Sequence, residues 1–566
     1  MKQLIVLLCL SAISLSGWSQ FDRKALKSKY LQEFQELMKK QDIQGLSFAL
    51  VSADSLLMDF NLGHSDENLT EKVTSKTLFG LGSVTKVFTG LSVMQLAETG
   101  RVKLDEPLTQ YLPQFDIRGE HREKVTVRNV MAHHAGLPSD IIKGMFTQKP
   151  ESYERVVEYM NHEYMAMKPE QIRAYSNPAY SLLGHMVQEV SGKKYPEYVR
   201  DEILSKIGMH KSGFNLRDAA SATFNAKGKP EKEVLLRDLP AGGMYSNSEE
   251  MISFLQAYLR QDERLLSEVG YNQIFKEQYT DLPLNFEHRY ALGWNISSRP
   301  HAGKIFRHTG TMLYFNAAIA VAPQVGLAAV VLNNSKGGGS TFNTILSAID
   351  DAAKEMGFPE QKDDKIQSFK KSDKIELPDS VTERYVSLYG APGALMKVYK
   401  KRDRLFMRMR GLKVRLIPVD SNVFIPKILL MGFIPIKLNE VRFSFENIAG
   451  YEVITQSEIG SGKELLATKI DPYKIGNSWK KRMGKYRVVN KLAGEIDFFT
   501  DFELLQKEGL LVMSFSQGEQ EIDMPLEIIN DSRANISGIG RYAGQSLHTN
   551  DRQHLSFFGL ELQQIK

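Results

Sequence analysis

Residues 357–379 are rich in Lys, Asp, Gln, Ser and Pro and poor in large apolar side chains, and this polar stretch separates two different hydrophobic patterns. Upstream, Leu26, Tyr30, Phe34, Leu37 and Met38 recur at helical spacing. Gly45 then opens two alternating runs, 46–51 and 56–62, around Asp54-Ser55, which predicts a β-hairpin. Residues 80–300 carry mostly helical patterns, 316–321 and 326–332 flank Pro323-Gln324 as a second hairpin, and 344–356 again reads as helix. Downstream the pattern becomes short alternating runs at 394–399, 405–409, 441–445, 495–499, 510–515 and 555–560, as an antiparallel β-domain requires. The fold expected is therefore α+β: an antiparallel sheet from both ends of the upstream region, flanked by helices with a helical insertion, plus a C-terminal antiparallel β-domain. With 566 residues the chain is too long for one core. The domains expected are 20–357, a linker at 358–375, and 376–566. Glu383-Arg384-Tyr385 and Lys485-Tyr486-Arg487 open two related β-units in the last, which holds no catalytic motif.

Met1-Lys2-Gln3 precedes an apolar run over 4–15 that is too short to span a bilayer, and Gly17 and Ser19 are small residues placed for cleavage before Gln20. Residues 1–19 are read as a signal peptide and the mature protein as exported, periplasmic or extracellular. The single cysteine, Cys9, lies inside that segment without a small residue before it, so neither a lipid anchor nor a disulfide nor thiol catalysis is expected of the mature chain. A formal charge of +5 gives no dense basic stripe of the kind nucleic acid needs.

The densest chemical signal is Gly82-Ser83-Val84-Thr85-Lys86, followed by Val87, Phe88, Leu91, Val93, Met94, Leu96 and Ala97, an apolar set covering more than one helix face. The helix is predicted to be buried. Ser83 and Lys86, three residues apart, share a face near its N-terminus, where the amine can approach the hydroxyl and backbone N–H groups favour an oxyanion. Desolvation there favours a neutral lysine able to act as base. Taken alone, Ser-x-x-Lys is a common polar helix start. Its context is Tyr175-Ser176-Asn177, just before Pro178 and a helical pattern, and His308-Thr309-Gly310 at the end of a strand pattern.

In this order the motifs resemble the serine β-lactamase and penicillin-binding-protein superfamily, in its class C-like branch with a tyrosine loop, over about residues 30–340. Further likeness lies in Gly100 to Pro107 with Tyr111-Leu112-Pro113, in Val125 to Asn129 with His133 and Gly136-Leu137-Pro138, and in Ala241-Gly242-Gly243-Met244-Tyr245-Ser246. The resemblance implies that Ser83 attacks an acyl carbon, that Lys86 and Tyr175 share the proton transfers, and that Asn177 holds the lysine or the substrate amide. It puts His308, Thr309, Gly310 and Thr311 on the substrate-binding strand, with the N–H groups of Ser83 and Thr311 as oxyanion hole. Two departures stand out. His308 occupies the place of a lysine, removing a permanent cation, and Ala135 with His134 replaces the usual residues of the Gly136 segment.

Adjacent His133 and His134 point in different directions on any regular element, so a metal site is not expected, nor any cofactor. His133 and His185 are read as structural. Nine Lys or Arg between 397 and 415, with only Asp403 opposed, are read as solvated strand faces, with contact to an anionic envelope surface as the lesser alternative. The run 424–436 is too short and too interrupted by Pro426, Lys427, Gly432 and Pro435 for a transmembrane helix. The function expected is hydrolysis of an amide or ester, in a peptide, a D-amino-acid peptide or a small ester, through a Ser83 acyl-enzyme. An acyltransferase using the same intermediate is the nearest alternative, and a scaffold that keeps the fold without turnover is the remoter one. The substrate is a small molecule or peptide, and assembly into oligomers is left open.

Overall fold

A computed structural model describes residues 22–565, other than 233, 287, 362–373, 410, 431–433, 438–440, 459–461 and 519. The predicted signal peptide and most of the predicted linker lie outside the described residues. The chain divides into two compact units: Met1–Lys103, Leu183–Gln278 and Arg289–Asp364 make the first, and Leu104–Leu182, Tyr279–His288 and Lys365–Lys566 the second.

In the first unit, helix α1 (Arg23–Gln41) starts where the Asp22 carboxylate accepts from the N–H groups of Lys24 and Ala25 at 3.0 and 2.9 Å. Its buried Leu26, Tyr30 and Phe34 fall on one face at four-residue spacing. Strands β1 (Gly45–Ser52) and β2 (Leu56–Gly63) form the predicted hairpin. β3 (Arg289–Tyr290), β4 (Asn295–Arg299), β5 (Gly303–Met312), β6 (Phe315–Ala322) and β7 (Leu327–Asn333) complete an antiparallel sheet in the order β3-β4-β5-β6-β7-β1-β2. β1 lies between β2 and β7, with Phe48 opposite both Phe60 and Val331. It is buried along its whole length, because α1 and the C-terminal helix α5 (Phe342–Glu355) cover one sheet face while α4 (Ser248–Arg260) packs on the other. Helix α2 (Thr85–Glu98) is apolar on every side and is buried from Thr85 to Met94, as its composition requires.

In the second unit the C-terminal chain forms two antiparallel β-bodies. The first runs β8 (Ser387–Ala391), β9 (Ala394–Lys401), β10 (Arg404–Met409), β11 (Leu412–Pro418), β12 (Val423–Leu430), β13 (Ile434–Lys437), β14 (Val441–Ile448), β15 (Tyr451–Glu458) and β16 (Lys463–Ile470). Its order is β11-β10-β9-β8-β16-β15-β14-β12-β13, and an added β11–β12 pairing joins eight of the strands into a ring. Met396, Val398, Leu405, Met407, Val414 and Leu416 point to its core. Lys397, Arg408 and Lys413 stand opposite one another in the alternate register. The second is a closed barrel of β17 (Gly484–Val488), β18 (Thr500–Lys507), β19 (Leu510–Gln517), β20 (Gln520–Ile528), β21 (Arg533–Ile536), β22 (Ser546–Thr549), β23 (Leu555–Phe557) and β24 (Leu560–Gln564). Trp479, Phe499, Leu504, Met513, Phe515 and Phe557 are among the residues filling its interior.

Two predicted strands differ. Residues 495–499 form no strand: Glu495 makes only an isolated antiparallel bridge with Thr147 and the Ile496 N–H donates to Phe146 O, while the alternation there reflects Phe499 dropping into the barrel core. The run 555–560 is a hairpin, since Phe558 and Gly559 both take positive φ (54° and 77°) and reverse the chain. The apolar run over 424–436 supplies the paired strands β12 and β13. No helix among the described residues is long and apolar enough to cross a membrane.

Candidate active site

The motif residues fall into two groups, one in each unit. The first is built on the entry to α2. A 3-10 turn, Gly82–Val84, leads into the helix, with Gly82 at φ 50°, a left-handed conformation that glycine alone adopts without strain. Lys86, one turn beyond Ser83, has no solvent exposure. Its Nζ donates to Ser83 Oγ at 3.0 Å and to the carbonyl of Ala241 at 2.6 Å. The segment that supplies this carbonyl is pinned to α2: Thr89 Oγ1 donates to Pro240 O at 2.6 Å, the Met244 N–H to Thr85 Oγ1 at 3.2 Å, and the Leu81 N–H to Met244 O at 2.8 Å. The buried pair Arg237–Asp238 (2.6 Å) precedes it, and the Gly242 N–H donates to Asp238 O.

Strand β5 crosses the same turn. A Cβ on Gly310 would stand 2.7 Å from Ser83 N and 2.9 Å from Val84 N, and closer still to Leu81 O. A Cβ on Gly82 would stand 2.6 Å from Thr311 N. Two glycines thus let the backbone of β5 lie against the backbone of Ser83, bringing the Ser83 and Thr311 amides into one neighbourhood at the positive end of α2. His308 shares the Gly310 face of the strand and is buried, with Nδ1 2.8 Å from Thr309 O. Thr309 and Thr311 face the other way, where Thr311 Oγ1 donates to Asn316 Oδ1 at 2.9 Å.

The second group is built on the entry to α3 (Asn177–Ser191). Ser176 Oγ accepts from the Ala179 N–H at 3.2 Å and donates to Pro138 O at 2.6 Å, so the helix cap and the Gly136 segment are one assembly. The Asn177 N–H donates to Ser139 O at 3.0 Å, and its side-chain amide to Asp140 Oδ1 at 2.6 Å. The Tyr175 ring lies 4.2 Å from that of His133, whose Nδ1 accepts from the Ser176 N–H at 3.2 Å. His133 is thus the hydrogen-bonded packing residue that its sequence context indicates. His134 sits between Ala132 O (2.7 Å) and Asn285 Oδ1 (2.9 Å), and burial pushes its imidazole down to about 4. No three His, Cys, Asp or Glu among the described residues are grouped to hold a metal.

Four participants escaped the sequence reading. The Ala241 carbonyl belongs to a segment that the sequence marks only as a further likeness. Asp140 carries no motif of its own. The Arg173 and Arg541 guanidinium carbons lie 5.9 and 5.1 Å from the centre of the Tyr175 ring. Arg173 is two residues from Tyr175 and legible by proximity, whereas Arg541 comes from the second barrel and carries no local signal.

A family model described as beta-lactamase matches residues 32–354. Protein flp of Staphylococcus aureus (strain MW2) is 26% identical over 307 residues, 52% of this chain and 61% of that protein. A beta-lactamase of Pseudomonas fluorescens is 27% identical over 226 residues, 39% of this chain and 61% of that protein. The chain thus spans about three fifths of the length of the curated relatives it matches. Among solved structures, the octameric penicillin-binding protein homologue from Pyrococcus abyssi is 20% identical with a TM-score of 0.54, covering 78% of this chain and 99% of that one. The crystal structure of SurE is 20% identical with a TM-score of 0.57 and the same coverage. At these identities the structural likeness shows a common fold.

Proposed function

Because the chain belongs to the beta-lactamase family, we propose that its serine hydrolase-type activity is cleavage of an amide or ester through a Ser83 acyl-enzyme, in an exported protein. The reading rests on one contact above all, the buried Lys86 amine 3.0 Å from the Ser83 hydroxyl with its second partner an uncharged carbonyl. A neutral amine in this position can accept the hydroxyl proton.

In the reaction proposed, Ser83 Oγ attacks the acyl carbon as its proton passes to Lys86, and the carbonyl oxygen becomes an oxyanion. The Ser83 and Thr311 N–H groups stabilise it, two preorganised donors at a helix N-terminus. Collapse breaks the bond to the amine or alcohol, which leaves with a proton returned through Lys86 and Tyr175. Water then attacks the ester of Ser83 and releases the acid. Asn177 orients the substrate amide, and His308 leaves the strand without the fixed cation of a lysine, so small esters and peptides are favoured over substrates that need that cation.

Incubation with a fluorophosphonate followed by peptide mapping tests the reading. A single adduct on Ser83, lost in Ser83→Ala while the melting temperature is kept, is expected. An adduct elsewhere, or ester hydrolysis by Ser83→Ala at near the parent rate, would overturn it.

A further inference from the structure

We propose that Arg541, on the loop joining β21 to β22, is the anion-binding residue of a substrate subsite beside Tyr175, and that this subsite takes a carboxylate. The proposal rests on the reading above, in which Tyr175 and Asn177 serve the acyl-transfer reaction.

The loop that carries Arg541 is fastened to the segment before the tyrosine. The Tyr542 N–H donates to Ser139 Oγ at 2.8 Å, Gln545 Nε2 to Asp140 O at 2.8 Å, and the Ser139 N–H to Gln545 Oε1 at 3.2 Å. Gln545, Ser139 and Asp140 are all buried. None of these bonds uses the Arg541 side chain. The guanidinium reaches from the fastened loop to the Tyr175 ring, 5.1 Å away, and gives one N–H to Asp140 Oδ2 at 3.3 Å. Asp140 Oδ1 takes the Asn177 amide at 2.6 Å. One carboxylate therefore ties the barrel's arginine to the asparagine of the tyrosine motif.

The arginine side chain nevertheless remains 42% exposed. A guanidinium has five N–H donors in a planar fork suited to bidentate binding of a carboxylate. Here Asp140 Oδ2 takes one of them at 3.3 Å and the Tyr542 hydroxyl is a second partner, while the group lies against the Tyr175 and Tyr542 rings and has more donors than these two bonds use. Arg173 brings a second permanent cation within 5.9 Å of the same ring. Two guanidinium groups around one tyrosine, with Asp140 the carboxylate bound to Arg541, make a local field that favours an arriving anion. This cation is supplied in a chain whose strand motif carries His308 in place of lysine.

The test uses the full chain and four nitrophenyl esters: one with a carboxylate on the acyl part, one with a carboxylate on the leaving group, and the carboxamide twin of each. In Arg541→Gln, kcat/KM for a carboxylate ester should fall about 10- to 100-fold, mainly through KM, as loss of a charge-assisted hydrogen bond implies. The carboxamide twins should stay within about twofold, and Arg541→Lys should recover part of the loss. Equal loss on all four esters would make Arg541 a structural residue and overturn the proposal, as would no loss on any. Fluorophosphonate labelling of Ser83 is followed in parallel. Its absence in the parent protein would break the acyl-enzyme reading and the subsite with it, whereas normal labelling with unchanged ester selectivity in Arg541→Gln would break the subsite alone.

Discussion

Replacing Gly310 by alanine should disable Ser83 without unfolding the protein. The added methyl would stand 2.7 Å from Ser83 N and 2.9 Å from Val84 N. It would also stand 2.0 Å from Leu81 O, and a non-bonded carbon prefers roughly 3.5 Å from backbone nitrogen or oxygen, so β5 and the 81–84 turn must part by about 1 to 1.5 Å. Overpacking of this kind costs about 1–3 kcal/mol of stability, which a unit with so large a sheet core can absorb. For catalysis the consequence is steeper, because an oxyanion donor displaced by 1 Å loses about 100-fold in rate. The second-order rate of Ser83 labelling by a fluorophosphonate should therefore fall by about 100-fold or more, while the melting temperature falls by only a few degrees. Gly339→Ala is the control, since its methyl would meet nothing nearer than Phe342 at 3.7 Å. Labelling of Gly310→Ala within about threefold of the parent rate would refute the claim that this glycine contact sets the oxyanion donors.

Lys86→Ala should lower ester turnover nearly as far as Ser83→Ala, and the double variant no further, because hydroxyl and amine act as one unit; steady-state rates that multiply would separate them. Burial raises the Glu163 carboxyl from its ordinary 4.5 to about 7, so it contributes stability below pH 4.5 that is lost as pH rises through 7, about 3 kcal/mol in all. Burial lowers His548 and His134 from 6.5 to about 4, and their contribution, present above 6.5, is lost as pH falls through 4. Glu163 and the two histidines oppose each other between pH 4.5 and 6.5, so Glu163→Gln should gain stability relative to the parent at pH 8 and lose it more steeply on acidification; denaturant melts showing equal pH profiles would contradict this. N-terminal sequencing of the secreted or periplasmic protein should begin near Gln20, and an uncleaved chain recovered with membranes would count against export.

The parts of the fold that were legible are those in which neighbours in sequence share an environment. Leu26, Tyr30 and Phe34 repeat every four residues because one face of α1 meets the sheet. Met396 and Val398 alternate with Lys397 because one face of β9 meets a barrel core. The same signal misled at 495–499, where Phe499 is buried by a loop turning inward rather than by a ladder. Periodicity reports which side chains are covered and is silent on what the backbone hydrogen bonds do. Phe558-Gly559 shows the converse, a turn whose aromatic residue reads as strand until its positive φ is seen.

At the site, legibility follows sequence separation and the kind of group involved. Ser83 and Lys86 meet because three residues make one helical turn, a geometry contained in the local sequence. The Ala241 carbonyl that accepts from the lysine amine is a backbone atom 155 positions away, and every residue has one, so composition cannot mark it. Arg541 is 401 positions from Asp140 and lies beyond a linker that local pattern marks as a domain boundary. Only packing of the barrel loop against Ser139 and Asp140 brings it to Tyr175. The proposed acyl-transfer centre can thus be read from a few short motifs, because its hydroxyl and base need local spacing. A group that selects among substrates has no such constraint on where in the chain it originates. On the proposed reading, Arg541 would let the appended barrel change substrate preference while every motif proposed to carry the reaction stays in place.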